Sequence, residues 1–213
     1  AIAGFENIKF PAFTGFWSQD YQTPQNINLQ REKFRGKVYD VGLMRSYILF
    51  PQQTGDLSID PFSMDLILQV RKRSRDIFDD FFGGSVQNIR KALSSGKTII
   101  KVKPLPSGAP ASFKGAVGSF QMSATASRES VMANSGFSIN VKISGTGNLK
   151  LLECPHIQLP PDFESYEPKV ADNFRNSPQG SVGTKQFEVP VIARSAGDFS
   201  ISPVQFSYFD PQK

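Results

Sequence analysis

The chain of 213 residues carries a single cysteine and a single histidine, and they stand two positions apart in Cys154-Pro155-His156. In an extended segment positions 154 and 156 share a face, which would set a thiol beside an imidazole base, the pairing that thiol nucleophiles use. The proline between them, and Pro160-Pro161 just downstream, place the pair at a strand edge or in a loop instead. A free cysteine in such a setting packs as a small hydrophobe. One Cys and one His are also too few for a four-ligand zinc site. Gly145-Thr146-Gly147-Asn148-Leu149-Lys150 has the glycine spacing of a phosphate loop, but neither the Lys-Ser/Thr ending nor a helix to follow it. It reads as a tight turn. Asp76, Asp79 and Asp80 lack the alternating spacing of a calcium loop. No catalytic residue, metal or cofactor is expected, and the chain reads as a non-enzyme.

Binding chemistry is better represented. From Arg71 to Gly84 the cations Arg71, Lys72, Arg73 and Arg75 come first, followed by Ile77, Phe78, Phe81 and Phe82, then Gly83-Gly84. Four large apolar groups within six residues call for a covering surface. One reading folds them back over an open sheet edge or a domain junction. Another makes Ile77, Phe78, Phe81 and Phe82, with Arg71 and Arg73, a partner-docking tip. A third lays the basic stem on anionic lipid. Phe16-Trp17 with Tyr21 offers an aromatic platform for a sugar, so a carbohydrate-binding or adhesin-like module is the alternative function.

The elements that would carry these residues are strands. Phe137, Ile139, Val141 and Ile143 alternate with polar residues, and Phe62, Met64, Leu66, Leu68 and Val70 (interrupted only by Ile67) and Tyr39, Val41 and Leu43 recur at the same period. Period-two alternation buries one face of a sheet and wets the other. Gly108-Ala109-Pro110, Asn134-Ser135-Gly136 and Pro160-Pro161-Asp162 punctuate the runs as turns. Thr54-Gly55-Asp56-Leu57-Ser58-Ile59-Asp60-Pro61 matches Ala196-Gly197-Asp198-Phe199-Ser200-Ile201-Ser202-Pro203, with Tyr47 and Leu49 falling on Val189 and Val191. Each copy reads as an alternating strand, a Gly-Asp turn, a short strand, a proline and another strand. Short alternating strands in a repeated order indicate a sandwich. The expected fold is all-β, two tandem immunoglobulin-like β-sandwich domains: residues 1–103 with an inserted excursion at 71–84, a Pro-rich linker at 104–114, and residues 115–213. Phe10-Pro11 lies ten residues from the start, whereas the comparable Cys154-Pro155 lies about 40 residues past the linker. The first domain is therefore expected to lack its N-terminal strands. Ser85 to Gly96 reads either as a short helix, with Val86, Ile89 and Leu93 on one stripe, or as an edge strand. The strand is favoured, because Thr98–Val102 needs a neighbour.

The totals narrow the class further. With 39% hydrophobic residues and 19 Phe, the chain holds enough apolar material for two modest cores. Residues 1–103 hold 15 Lys/Arg against 10 Asp/Glu, and residues 104–213 hold 9 of each. The formal net charge of +5 is thus a feature of the first half, much of it at Arg71 to Arg75, rather than a basic face for nucleic acid. No apolar run approaches the roughly 18 residues that span a bilayer.

Several separated motifs carry a family resemblance. Gly115-Ala116-Val117-Gly118-Ser119-Phe120, Ile143 to Leu151, Pro161 to Lys169 and Phe206-Ser207-Tyr208-Phe209-Asp210-Pro211 together resemble the BatD proteins, the oxygen-tolerance family of the Bacteroides aerotolerance clusters. Tyr47 to Gly55 and Ile77 to Gly84 are similar to the same family. The resemblance implies tandem β-sandwich modules in the periplasm, at the extracytoplasmic face of the inner membrane, held there by a segment outside this chain. It further implies protein partners with von Willebrand factor A-domains and, indirectly, a MoxR-type AAA ATPase. It implies no enzymatic activity.

Overall fold

A computed structural model describes residues 2–71, 86–177 and 180–213. The fold is all-β, in several sheets of the immunoglobulin-like sandwich type; among the described residues the one helical segment is the short 3-10 turn Leu149–Leu151. The chain divides into two compact units, residues 1–18 with 49–104 and residues 19–48 with 105–213.

In the first unit β1 (Ile2–Lys9) and β7 (Ser63–Arg71) pair antiparallel, and β8 (Val86–Ser94) pairs with the far edge of β7. Separately, β6 (Gly55–Ile59) pairs with β9 (Thr98–Val102). The segment 86–94 is therefore a strand, as the sequence predicted, but not for the predicted reason. Val86–Ser94 lies against β7, from Arg71↔Val86 to Ser63↔Ser94, while Thr98–Val102 takes Gly55–Ile59 as its neighbour. A separate two-stranded sheet pairs β2 (Phe16–Gln22) with β5 (Ser46–Pro51).

The second unit holds the main core. Here β10 (Phe113–Ala126) and β11 (Ser135–Gly147) form a long antiparallel pair, and β14 (Gly180–Ala193) runs along the other edge of β11. β12 (Phe163–Ser165) and β13 (Lys169–Ser177) line the far edge of β14, and β15 (Ser207–Phe209) adds parallel to β10. The predicted alternation of β11 puts Phe137, Ile139, Val141 and Ile143 inward. In the ladder Phe137 stands opposite Val191, Ile139 opposite Val189 and Val141 opposite Phe187. Such cross-strand pairs stabilise a sheet directly. Burying each large aliphatic side chain contributes about 1.5–3 kcal/mol. Phe120, Leu149 and Leu152 close the cluster.

The hairpin β3 (Gln30–Phe34) and β4 (Lys37–Val41) belongs to the second unit and pairs only with itself among the described residues. Arg35 and Gly36 between them both have positive φ, 48° and 79°, the signature of a two-residue hairpin turn whose twist matches its strands.

The repeat is realised unequally. In its first copy Tyr47 to Leu49 lie in β5 and Ser63 opens β7, as expected, but Gly55 and Asp56, expected to form the turn, are already the first two residues of β6. In the second copy residues 194–206 form no strand. Gly55–Ile59 has β9 to complete its hydrogen bonds, and Gly197–Ile201 has no such neighbour among the described residues. Instead the Phe199 ring packs on Phe163 at 5.0 Å, and Ile201 packs on the core.

Candidate functional site

The chemistry-bearing residues separate once the chain is folded. Cys154 is half-buried and packs against the second unit's core, and burial pushes its thiol pKa upward. His156 is exposed. Desolvation disfavours the thiolate, and with it nucleophilic reactivity. Among the described residues no three His, Cys, Asp or Glu side chains gather closely enough to hold a metal.

Only the end of the glycine-spaced segment at 145–150 is the turn that its composition predicts, where Asn148 leads into the 3-10 turn Leu149–Leu151. Gly145 and Gly147 lie inside β11, paired with Phe120 and Gly118. A Cβ on Gly145 would stand 2.1 Å from the Ser119 carbonyl oxygen, and one on Gly147 would stand 2.3 Å from that of Val117. These glycines let two strands approach closely. Asn148 then ties the end of β11 to β10, accepting from the Val117 N–H at 2.9 Å and donating to the Gly115 carbonyl at 2.8 Å.

Of the residues proposed from sequence for partner docking, Arg73, Ile77, Phe78, Phe81 and Phe82 lie outside the described residues. Arg71 is the last residue of β7. The acidic trio Asp76, Asp79 and Asp80 also lies outside them. The sugar-platform candidates Phe16, Trp17 and Tyr21 are all half-buried in or beside β2, and the Trp17 ring packs on Phe50 at 5.5 Å.

Two features were not anticipated. Lys185 occupies an inward position of β14, opposite Ile143 and in line with Phe187 and Val189. It is only 8% exposed. Its ammonium donates to the carbonyls of Lys150 at 2.8 Å and Leu152 at 2.5 Å, holding the C-terminal side of the 3-10 turn. Burial lowers its pKa, and the nearby Asp172 opposes the shift. With both visible acceptors supplied by backbone, Lys185 is a structural clamp. The sequence signal was present, because Lys185 keeps the period-two phase of Phe187, Val189 and Val191. Close by, Lys150 pairs with Asp172 at 2.9 Å and lies over the Phe174 ring.

At the β12 rim, Arg194 reaches Glu164 with both its Nε, at 2.9 Å, and a terminal nitrogen. Tyr166 donates to the other carboxylate oxygen at 2.9 Å. Hydrogen bonds from Arg194, then Tyr166, lower the Glu164 pKa and keep the carboxylate ionised. The three side chains bond to one another, so the cluster shapes the rim rather than offering a reactive group.

The surface best placed to meet a partner is the β3–β4 hairpin, whose residues 30–41 are all exposed. Phe34, Tyr39 and Val41 share one face, because Phe34 stands opposite Lys37, Glu32 opposite Tyr39 and Gln30 opposite Val41. At the hairpin's base, Ile27 and Leu29 close over the backbone at Gly42, where a Cβ would come within 2.7 Å of Ile27.

Residues 124–213 match the family model described as the BatD DUF11 like domain. The matched stretch runs from the end of β10 through β15, so the second-unit motifs that resemble BatD in sequence fall mostly within it. No curated protein and no solved structure matches the chain.

Proposed function

From the BatD DUF11-like match over residues 124–213, we propose that this chain is a non-enzymatic, extracytoplasmic interaction module of a BatD-type envelope protein. Its partners are proteins with von Willebrand factor A-domains, which connect it to a MoxR-type ATPase and to tolerance of oxygen stress. The family match is the observation that carries the reading. Two features are in keeping with it. Among the described residues no helix is long and apolar enough to cross a membrane, and exposed strand edges with apolar side chains suit protein contact better than chemistry.

Pull-down of the A-domain proteins encoded in the same gene cluster tests the reading. The chain is expected to retain at least one of them through a moderate-salt wash, and retention of none would end the proposal. The aromatic excursion is tested in parallel with the triple variant Phe78→Ala/Phe81→Ala/Phe82→Ala. If these side chains dock the partner, retention falls at least tenfold while the circular dichroism spectrum stays that of a folded β protein. Undiminished retention would remove the excursion from the interface.

A further inference from the structure

We propose that the tip of the β3–β4 hairpin, Lys33 to Val38, is a docking site for an acidic protein surface that presents carboxylates around a small apolar pocket. The inference deepens the interaction-module reading and rests on it. The hairpin is built as an arm. Its turn, Arg35-Gly36, takes positive φ at both residues, and five residue pairs run from Phe34↔Lys37 to Gln30↔Val41. Each strand has the other as its sole partner among the described residues, and the arm is exposed along its length. A two-stranded ribbon is marginal in water by itself, so a seat on another surface would stabilise it.

Composition specifies that surface. Lys33, Arg35 and Lys37 put three cations into five residues, and the segment from Lys33 to Tyr39 contains no carboxylate. The arm's acids are further down, and Asp40 already pairs with Arg31 at 3.5 Å. Phe34, 60% exposed, stands between Lys33 and Arg35, and Val38, 66% exposed, follows Lys37 on the opposite face of the ribbon; they are the two most exposed apolar groups of the hairpin. The Arg35 guanidinium lies 5.2 Å from the centre of the Phe34 ring, a cation–π contact that holds the two side chains together. An aromatic anchor beside an arginine is the composition on which protein interfaces concentrate their binding energy.

The same features argue against the other occupants. A second copy of this chain would bring three like charges to the same place, and cations along an edge strand are a known defence against self-pairing. A lipid surface would have to strip Arg35 from the Phe34 face and would gain only one aromatic side chain. Glu32 and Asp40 on the same arm would meet the anionic leaflet with the wrong sign.

The test is site-specific photo-crosslinking in cells with the full-length protein, the photoreactive residue being placed at position 34, at position 38 or at position 132. Met132 is 79% exposed in the same unit and serves as the reference. Positions 34 and 38 are expected to give protein adducts that map to peptides rich in Asp and Glu. Adduct yield should drop at least tenfold in the Lys33→Glu/Arg35→Glu/Lys37→Glu background, with the β spectrum retained. Adducts that ignore the charge reversal, or that map to neutral or basic peptides, would overturn the proposal. Lipid adducts at 34 would assign the tip to the membrane and overturn it as well. Protein adducts from position 132 alone would sink the tip and leave the interaction module standing. No protein adduct from any position would count against both.

Discussion

Lys185 is the residue whose chemistry and position are most at odds, and the disagreement is testable through pH. Its ordinary pKa is 10.5, and burial lowers it in the folded chain. Between the folded value and 10.5 the unfolded chain therefore binds more protons than the folded one, so the stability of the fold rises with pH across that window. Below the folded value the desolvation penalty of the buried ammonium is present in full. In Lys185→Met that penalty is gone, but the carbonyls of Lys150 and Leu152 lose their donor. An unsatisfied buried carbonyl costs about 1–3 kcal/mol, so the variant is expected to be less stable at pH 7 by about that amount. Because only the wild type gains as the pH rises toward 10.5, the gap between the two widens on going from pH 7 to that pH. Urea denaturation of both proteins at the two pH values reads this directly. A gap that narrows, or a variant more stable at pH 7, would show that the ammonium is tolerated rather than used.

At the scale of elements, the close approach of β10 and β11 is set by glycine. Gly145 has φ of 151°, and a Cβ there would meet Ser119 oxygen at 2.1 Å and Phe120 Cα at 2.9 Å, both backbone atoms of the paired strand. Backbone cannot swing aside as a side chain can, so the ladder would have to open. Gly145→Ala is expected to destabilise the second unit by about 3 kcal/mol or more, read as a lower urea midpoint, whereas Gly136→Ala, with only one contact at 3.7 Å, should shift it far less. Equal midpoints for the two variants would refute the crowding argument. This glycine pair also shows where sequence reading stops. Gly-Thr-Gly-Asn carries turn composition, and nothing local reveals that a neighbouring strand needs the room. The β11 alternation, by contrast, was legible because one buried face imposes period two on consecutive residues. The strand at 86–94 was legible in type but not in partner, since pairing depends on residues far along the chain. The repeat was legible as sequence and only half realised as ladder, because Gly197–Ile201 lacks the neighbour that β9 gives to β6. The β3–β4 arm was visible only as the alternation of Tyr39, Val41 and Leu43, which predicts an inward face; among the described residues β4 pairs with β3 alone, and those side chains stay exposed.

For the whole molecule, burial is distributed unevenly, and so should stability be. Among the described residues every buried hydrophobic side chain except Leu57 belongs to the second unit. In β8 nearly every residue is exposed, and Ile99 and Ile100 of β9 are exposed too. Hydrogen-bonded strands with little apolar cover open locally at low free energy, while strands that line a packed core exchange only through larger unfolding. Backbone amides of β11 from 137 to 143 and of β14 from 187 to 193 are therefore expected to exchange at least a thousandfold more slowly than those of β8. Substitution should follow the same division. Val141 is fully buried, and Val141→Ala should remove about 2 kcal/mol from the second unit by leaving a cavity between β11 and β14. Ile99→Ala, at a side chain 60% exposed, should change stability by no more than about 0.5 kcal/mol. If β8 proved as protected as β11, or if Ile99→Ala cost as much as Val141→Ala, another polypeptide or another part of this one would have to cover the first unit's sheet.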